Sequence, residues 1–325
     1  MSQRVIGSIL QGAYGDYYEQ ATCLKHYLRS QPGLRLKLYA GDAHRLEELR
    51  VLDFSFAESF EHWGSIREDS VDDFWQFQSA DGEFRADIFP HLPARAQAMI
   101  DRLPNLLPWR YLPKLMPLDE AGRINLSTEG LDRLPEVLRQ SGLSEAIFQK
   151  PTVSFLWRHR RPGTAIQPWL QQPADLLAEK YSRAFSELIR RTGCHVLVFG
   201  MKVQTTEANR HRVGSKFADF GLDLPAANCT HMQGLSWGVE LEIARRTTVC
   251  CGHPSGFTEA LDLLRNDVLL VDPLPHYLLK LLKYRMPFFR HNTPAGFLGL
   301  WRFRSTERSL VRELERRLRS ASETK

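Results

Sequence analysis

The sequence lacks long apolar runs and any recognisable export segment. Its apolar runs, such as Val268–Val271, are far too short to span a bilayer. Residues 1–20 have no basic segment followed by an apolar stretch, so we expect no secretion signal. These two absences predict a cytoplasmic protein, and a peripheral contact at the inner face of the cytoplasmic membrane is left open.

Cysteine is scarce, and its spacing is not that of a disulfide framework. The five cysteines are an odd number and form no CxxC pair, which predicts reduced thiols. The nearest approach to zinc-ligand spacing is His253 beside Cys250 and Cys251, and a buried strand explains those two cysteines better. We therefore expect neither a metal nor a cofactor.

Common nucleotide-binding motifs are also missing. The chain has no GxGxxG fingerprint and no GxxxxGK[ST] P-loop, which argues against a dinucleotide-dependent dehydrogenase and a P-loop ATPase. It has no DxD pair either, so the carboxylates that commonly hold a Mg²⁺–nucleotide complex are absent. A nucleotide site in this chain has to hold its phosphates by other means.

The two halves of the chain have net charges of opposite sign. Residues 1–150 carry 17 basic and 22 acidic side chains, and residues 151–325 carry 26 and 16. The basic half could bind an anionic ligand, an anionic membrane face or nucleic acid. Its charges are spread among apolar periodic segments and not gathered in a tail. This argues against nucleic acid and favours a small molecule that bears phosphate.

Short strands and helices alternate along the 325-residue chain. Apolar runs predict buried strands at 4–10, 34–40, 54–60, 152–157, 195–200, 247–252 and 268–271. Helical periodicity follows several of them and predicts a long amphipathic helix at 175–192. An apolar stripe predicts a closing helix at 305–319. The alternation predicts an α/β fold with two Rossmann-like domains facing a cleft. We place the N-terminal domain at 1–147 and the C-terminal domain at 148–325.

The first segment that could carry chemistry is the stretch from Gly12 to Asp16, between the first strand and its helix. Gly12 and Gly15 allow the backbone to approach a ligand closely. Asp16 has two interpretations. It is a helix N-cap, or it is a general base at the mouth of the cleft, and one residue could do both.

The second segment follows a predicted strand and opens a helix at Ser255. Ser255 suits the N-cap, and Gly256 removes a side chain from the approach to the backbone. The N–H groups of Ser255, Gly256 and Phe257 and the helix dipole favour a phosphate there. Glu259 could accept hydrogen bonds from ribose hydroxyls. Alternatively, it is a first-turn carboxylate that stabilises the helix dipole.

The third segment lies directly after the first strand of the second domain. It contains Arg158, Arg160 and Arg161, and guanidinium groups at a strand's carboxyl end can pair bidentately with phosphate oxygens. At most one or two of the three can face the cleft, and the sequence does not indicate which. Solvated surface charge is the alternative.

Three stretches resemble the ADP-heptose lipopolysaccharide heptosyltransferases, which are glycosyltransferase family 9-like enzymes of the GT-B type. Gly15-Asp16 is similar to an early Gly-Asp whose Asp is regarded as the catalytic base. Gly200 is similar to a glycine that follows an apolar strand. The stretch from Gly234 to Ala260 resembles the short helix, strand and Ser-Gly helix start that hold the donor diphosphate.

The chain departs from this family at two positions. The family has Asp directly before Ser-Gly and His three residues after that glycine, where this chain has Pro254 and Glu259. A Glu at the latter place recurs in other GT-B enzymes as a ribose contact. The arginines after residue 157 also resemble the fucosyltransferase-like branch, where an arginine after a strand binds the donor phosphate.

The resemblance implies a metal-independent glycosyltransferase that moves a sugar from a nucleotide-diphosphate sugar to an acceptor hydroxyl, with Asp16 as general base. It implies an acceptor on the N-terminal domain. Residues 61–118 of that domain are irregular and rich in aromatics, and we expect them to form helices and loops. The acceptor is expected to be a glycan or glycolipid of a bacterial surface, such as lipopolysaccharide or capsule. A nucleotide-sugar epimerase and a non-catalytic nucleotide-sugar-binding protein are the alternatives.

Overall fold

The computed structural model describes much of two sheets and of the helices that follow their strands. The described residues are 4–10, 14–29, 31–40, 46, 52–67, 70–75, 124–125, 127–157, 174–199, 222–232, 237–253, 256–265, 267–271 and 307–323. They divide into one compact unit up to residue 132 and a second from residue 133. This division falls inside helix α2 (Thr128–Gln140), and the domain boundary at 147/148 stays a prediction.

The first unit contains a four-stranded parallel sheet. Its described elements are β1 (Arg4–Leu10), α1 (Tyr14–Arg29), β2 (Leu34–Ala40), β3 (Ser59–His62) and β4 (Asp73–Trp75). The strands lie in the order β3-β2-β1-β4, and each neighbouring pair is parallel. β1 and β2 have the bounds that their apolar patterns predict.

Two expectations for this unit are wrong. The predicted strand at 54–60 begins only at Ser59, because the preceding residues form a turn in which the Ala57 N–H donates to the Phe54 carbonyl at 2.9 Å. The rings of Phe54 and Phe60 pack with centroids 4.5 Å apart, so ring packing around a turn produces the apolar pattern. In addition, β4 lies within residues 61–118, where only helices and loops were expected.

The second unit contains a five-stranded parallel sheet. Its described elements are β5 (Thr152–Leu156), α3 (Ala174–Thr192), β6 (His195–Phe199), β7 (Cys229–His231), α4 (Trp237–Arg246), β8 (Val249–Gly252), α5 (Gly256–Arg265), β9 (Leu269–Leu270) and α6 (Glu307–Glu323). The order is β7-β6-β5-β8-β9, parallel throughout. The predicted α/β class with Rossmann-like sheets is confirmed.

Helices α3 and α6 pack on the same side of the second sheet. The predicted stripe of α6 is buried in the core shared with β5, β6 and β8, and its members are Leu310, Val311, Leu314 and Leu318. Arg183 of α3 binds Glu307 of α6 at 2.7 Å, an exposed ion pair that contributes little stability. The apolar stripe, and not the many arginines, therefore holds α6 against the second sheet.

Helix α3 ends at a glycine. Gly193 has a φ of +64°, a left-handed conformation that residues with a Cβ adopt at a cost, and its N–H donates to the Ile189 carbonyl at 2.8 Å. The turn leads directly into β6. Among the helices that the structure describes, none is long and apolar enough to cross a membrane.

Candidate functional site

The strand order of the second sheet reverses at β5. From β5 the chain moves outward through β6 to β7, then returns to the other side of β5 and adds β8 and β9. Ligands of parallel α/β sheets bind outside the carboxyl ends of the strands at such a switch point. These ends are Leu156 of β5 and Gly252 of β8, which are partners in register. The segment predicted to bind phosphate directly follows Gly252.

Gly252 is required by the close packing of these two strands. A Cβ on Gly252 would lie 2.5 Å from the Leu156 Cβ and 2.9 Å from the Leu156 carbonyl oxygen, both far inside van der Waals contact. Any side chain there would push β8 away from β5. The last hydrogen bonds at this edge run from the His253 N–H to the Leu156 carbonyl, 3.0 Å, and from the Val271 N–H to the Gly252 carbonyl, 2.9 Å.

His253 lies in a buried box of aromatic rings. Its Nε2 shares a hydrogen bond with the Tyr181 hydroxyl at 3.2 Å, and 6% of the residue is exposed. The Trp157 ring meets the imidazole edge-on with centroids 5.3 Å apart, and the Phe155 ring lies 5.8 Å away. The backbone N–H of Trp157 donates to the Phe199 carbonyl at 2.9 Å, which fixes the position of Trp157 directly after β5.

Helix α5 begins at Gly256, four residues after the carboxyl end of β8. The Phe257 side chain is buried near Phe199, with ring centroids 6.1 Å apart, so it anchors the helix to the sheet. The Thr258 hydroxyl donates to the His253 carbonyl at 2.8 Å and closes the turn between strand and helix. Since the first N–H groups of a helix have no partner within it, this helix start is suited to an anion.

The structure places Asp16 at the corresponding edge of the first sheet. β1 lies at that sheet's own switch point, between β2 and β4, and α1 begins four residues after it. Asp16 is the third residue of α1, with Gly15 before it, so it belongs to the first turn and is not the residue that precedes the helix. The N-cap interpretation of Asp16 is therefore wrong by position. A carboxylate in the first turn still interacts favourably with the helix dipole.

The remaining predicted positions are only partly described. Glu259 lies in the first turn of α5, and the side chains of Asp16 and Glu259 are not described. Five predicted residues lie outside the described part of the chain: Gly12, Arg158, Arg160, Arg161 and Ser255. The roles assigned to all of these residues stay predictions.

The described thiols and histidines of the second unit do not form a metal centre. Among the residues that the structure describes, no group of three His, Cys, Asp or Glu side chains could hold a metal ion. Burial raises the pKa of Cys229 to about 11 and raises that of Cys250 and Cys251, so these thiols stay protonated near neutrality. Cys250 and Cys251 are fully buried strand residues, as the alternative to a zinc site predicted.

One contact at this site escapes prediction from the sequence. The pairing of His253 with Tyr181 and Trp157 joins residues far apart in the chain, and no local pattern indicates it.

The chain contains one string of the GxSxG form, from Gly234 to Gly238, which fits the pattern of a hydrolase nucleophile elbow. This string follows β7 in the sequence, and its serine lies outside the described residues.

No protein-family model and no curated protein sequence matches this chain. Among solved structures, a glycosyl transferase family 9 protein from Veillonella parvula DSM 2008 is similar over 100% of this chain and 97% of that chain, with 11% identity and a TM-score of 0.50. The chain has a GT-B type glycosyltransferase fold. The resemblance found in the sequence is thereby confirmed at the level of the fold.

Two heptosyltransferase structures are also similar to this chain, with lower TM-scores. E. coli heptosyltransferase WaaC with ADP matches 87% of this chain and 99% of that chain, with 10% identity and a TM-score of 0.43. The dodecameric iron-containing heptosyltransferase TibC, in complex with ADP-D-β-D-heptose, matches 83% of this chain and 58% of that chain, with 13% identity and a TM-score of 0.47.

Proposed function

We propose that the chain is a glycosyltransferase that moves a sugar from a nucleotide-diphosphate sugar to an acceptor hydroxyl. The observation that carries this proposal is the switch point of the second sheet. There Gly252 permits β8 to pack closely on Leu156, and α5 begins at Gly256 within a few residues. A helix start at the ligand-binding edge of a parallel sheet is the arrangement that binds phosphate groups.

The donor diphosphate binds at the start of α5 in this proposal. The N–H groups of residues 255–257 and the helix dipole face it, and Glu259 receives the ribose hydroxyls. Leu156 and Gly252 are partners in register, so β5 and β8 end side by side at this edge of the sheet. One or more of Arg158, Arg160 and Arg161 then stabilise the charge that develops on the leaving diphosphate. Guanidinium and N–H donors take the place of a metal.

Asp16 acts as the general base in the proposed reaction. It removes the proton from the acceptor hydroxyl while that oxygen attacks the anomeric carbon of the donor sugar. The bond from the anomeric carbon to the diphosphate oxygen breaks, and the nucleoside diphosphate leaves with the electron pair. The position of Asp16 in the first turn of the helix after β1 supports this role, because that helix starts at the ligand-binding edge of the first sheet.

The acceptor and the cellular setting rest on the family resemblance. We propose a glycan or glycolipid acceptor of a bacterial surface, bound by the N-terminal domain (residues 1–147). The lipopolysaccharide or capsule polymer is then made at the inner face of the cytoplasmic membrane by a cytoplasmic protein with a peripheral contact there.

Thermal unfolding in the presence of a nucleotide-sugar panel tests this proposal. A donor at about 100 times its dissociation constant should raise the free energy of unfolding by about 2.7 kcal/mol. Donors that stabilise the protein are then incubated with and without a bacterial glycan extract. Release of the nucleoside diphosphate only with the extract supports transfer. An altered sugar without extract indicates an epimerase, and binding without turnover indicates a binding protein.

A further inference from the structure

β5 and β8 end side by side at the switch point of the second sheet. In the proposed function, arginines that follow β5 in the sequence and the helix start that follows β8 contact one diphosphate. The distance between the two strand ends therefore has to be fixed. The described residues directly after these ends are Trp157 and His253, one residue beyond the paired strand ends Leu156 and Gly252.

His253 contacts three of the elements that meet near this point. Its N–H donates to the Leu156 carbonyl of β5, and its own carbonyl accepts the Thr258 hydroxyl of α5 at 2.8 Å. Its ring packs edge-on against Trp157, the residue before the first arginine. Its Nε2 is hydrogen-bonded to the Tyr181 hydroxyl of α3 at 3.2 Å. One side chain and its backbone therefore connect β5, α3 and α5.

Tyr181 is a firm anchor for this ring. It is fully buried in the core that α3 shares with α6, and its ring also packs 4.9 Å from Phe155 and edge-on to Trp157 at 5.4 Å between centroids. A hydrogen bond in such a water-excluded place fixes the direction of the imidazole as well as its position. Packing alone would hold the ring in the box but would leave its rotation less restricted.

We infer that His253 is a positioning residue of the proposed donor site, and that its hydrogen bond to Tyr181 holds the start of α5 in register with Trp157 at the carboxyl end of β5. The inference rests on the proposed function. His253 acts through the backbone turn that begins with it and does not touch the diphosphate. Loss of the hydrogen bond then weakens diphosphate binding without removing any group that contacts the ligand.

The test uses calorimetry of the full chain with ADP, UDP, GDP and inorganic pyrophosphate. His253→Phe and Tyr181→Phe each remove the hydrogen bond while keeping an aromatic ring in the box. Each variant should weaken the binding of pyrophosphate and of the nucleoside diphosphates by the same factor, about 3- to 10-fold, which corresponds to one net hydrogen bond. Because both variants remove one interaction, the double variant should be no weaker than either single variant.

Two further variants separate positioning from general stability. His253→Gln places an amide near the former Nε2, and it should restore most of the affinity. Val311→Ala shortens a buried side chain of α6 in the same core, distant in sequence from the site, and it should lower the unfolding temperature but leave affinity unchanged. If His253 contributes only to stability, all four variants should bind pyrophosphate and the nucleoside diphosphates with wild-type affinity.

The outcomes distinguish this inference from the proposed function. If the wild-type protein binds neither pyrophosphate nor any nucleoside diphosphate, the donor site is absent and both are overturned. If the wild type binds and the His253→Phe and Tyr181→Phe proteins bind equally well, only the positioning role is overturned. Tyr181→Phe leaves His253 in place, so it decides the matter even if His253→Phe does not fold.

Discussion

Gly252 and Leu156 pack so closely that a methyl group on the glycine would overlap the leucine. The overlap involves Leu156 backbone atoms, a carbonyl oxygen at 2.9 Å and a nitrogen at 3.0 Å, so no change of rotamer relieves it. The carboxyl ends of β5 and β8 are held together by this contact. The proposed donor site begins where they end, so the glycine supports both stability and binding.

Gly252→Ala should lower the free energy of unfolding by about 1–3 kcal/mol, the usual cost of overpacking, and should also weaken nucleoside diphosphate binding. Urea denaturation and calorimetry measure the two effects. Gly33→Ala is the matched control, because its Cβ would meet no atom within 4 Å, and its stability should change by no more than about 0.5 kcal/mol. Equal stability of the two variants would contradict the packing account.

Glu259→Ala should distinguish ribose recognition from support of the helix dipole. If Glu259 accepts hydrogen bonds from the ribose, the variant binds nucleoside diphosphates about 3- to 10-fold more weakly and binds inorganic pyrophosphate as before. Calorimetry with both ligands gives the comparison. Equal losses for the two ligands would mean that the carboxylate only stabilises the start of α5.

The stability of the second unit should fall in mild acid. Burial lowers the pKa of His195 and of His231, and the charge of Lys150 adds to the effect at His195. In the unfolded chain both histidines titrate near 6.5. As the pH falls below about 6.5 towards the lowered folded values, the unfolded chain therefore takes up protons first, and the free energy of unfolding decreases.

Urea denaturation at pH 7.5, 6.0 and 5.0 measures this loss. His231→Gln should reduce it, since the His231 Nε2 is buried and, in the part of the chain that the structure describes, has no hydrogen-bond partner. Arg312→Gln, an exposed change on α6, should leave the pH dependence as it is in the wild type. A His231→Gln protein with the wild-type dependence would show that this histidine does not contribute.

Local patterns predicted those elements that are long enough to show periodicity or a continuous apolar run. β1, β2, α3 and the buried stripe of α6 are of this kind. β4 and β7 have three residues each and are strands because neighbouring strands supply their hydrogen bonds, which no local pattern records.

Only part of the candidate site could be predicted, for a similar reason. The glycine and the helix start after β8 follow each other in sequence, so this strand end and helix start could be predicted. The contact between His253 and Tyr181 spans 72 positions and depends on how α3 packs on the sheet, so it could not.

The central claim is tested most directly by sugar transfer from the identified donor, with wild type and Asp16→Asn compared at equal concentrations. Mass spectrometry of the glycan extract and of the released nucleoside diphosphate measures the turnover. Wild type should add one sugar mass to an acceptor, and Asp16→Asn should be slower by about 10²–10⁴ while binding the donor equally well. Asp132→Asn, an exposed change on α2, serves as the control. Near-wild-type transfer by Asp16→Asn, or no acceptor-dependent transfer by the wild type, would contradict the account.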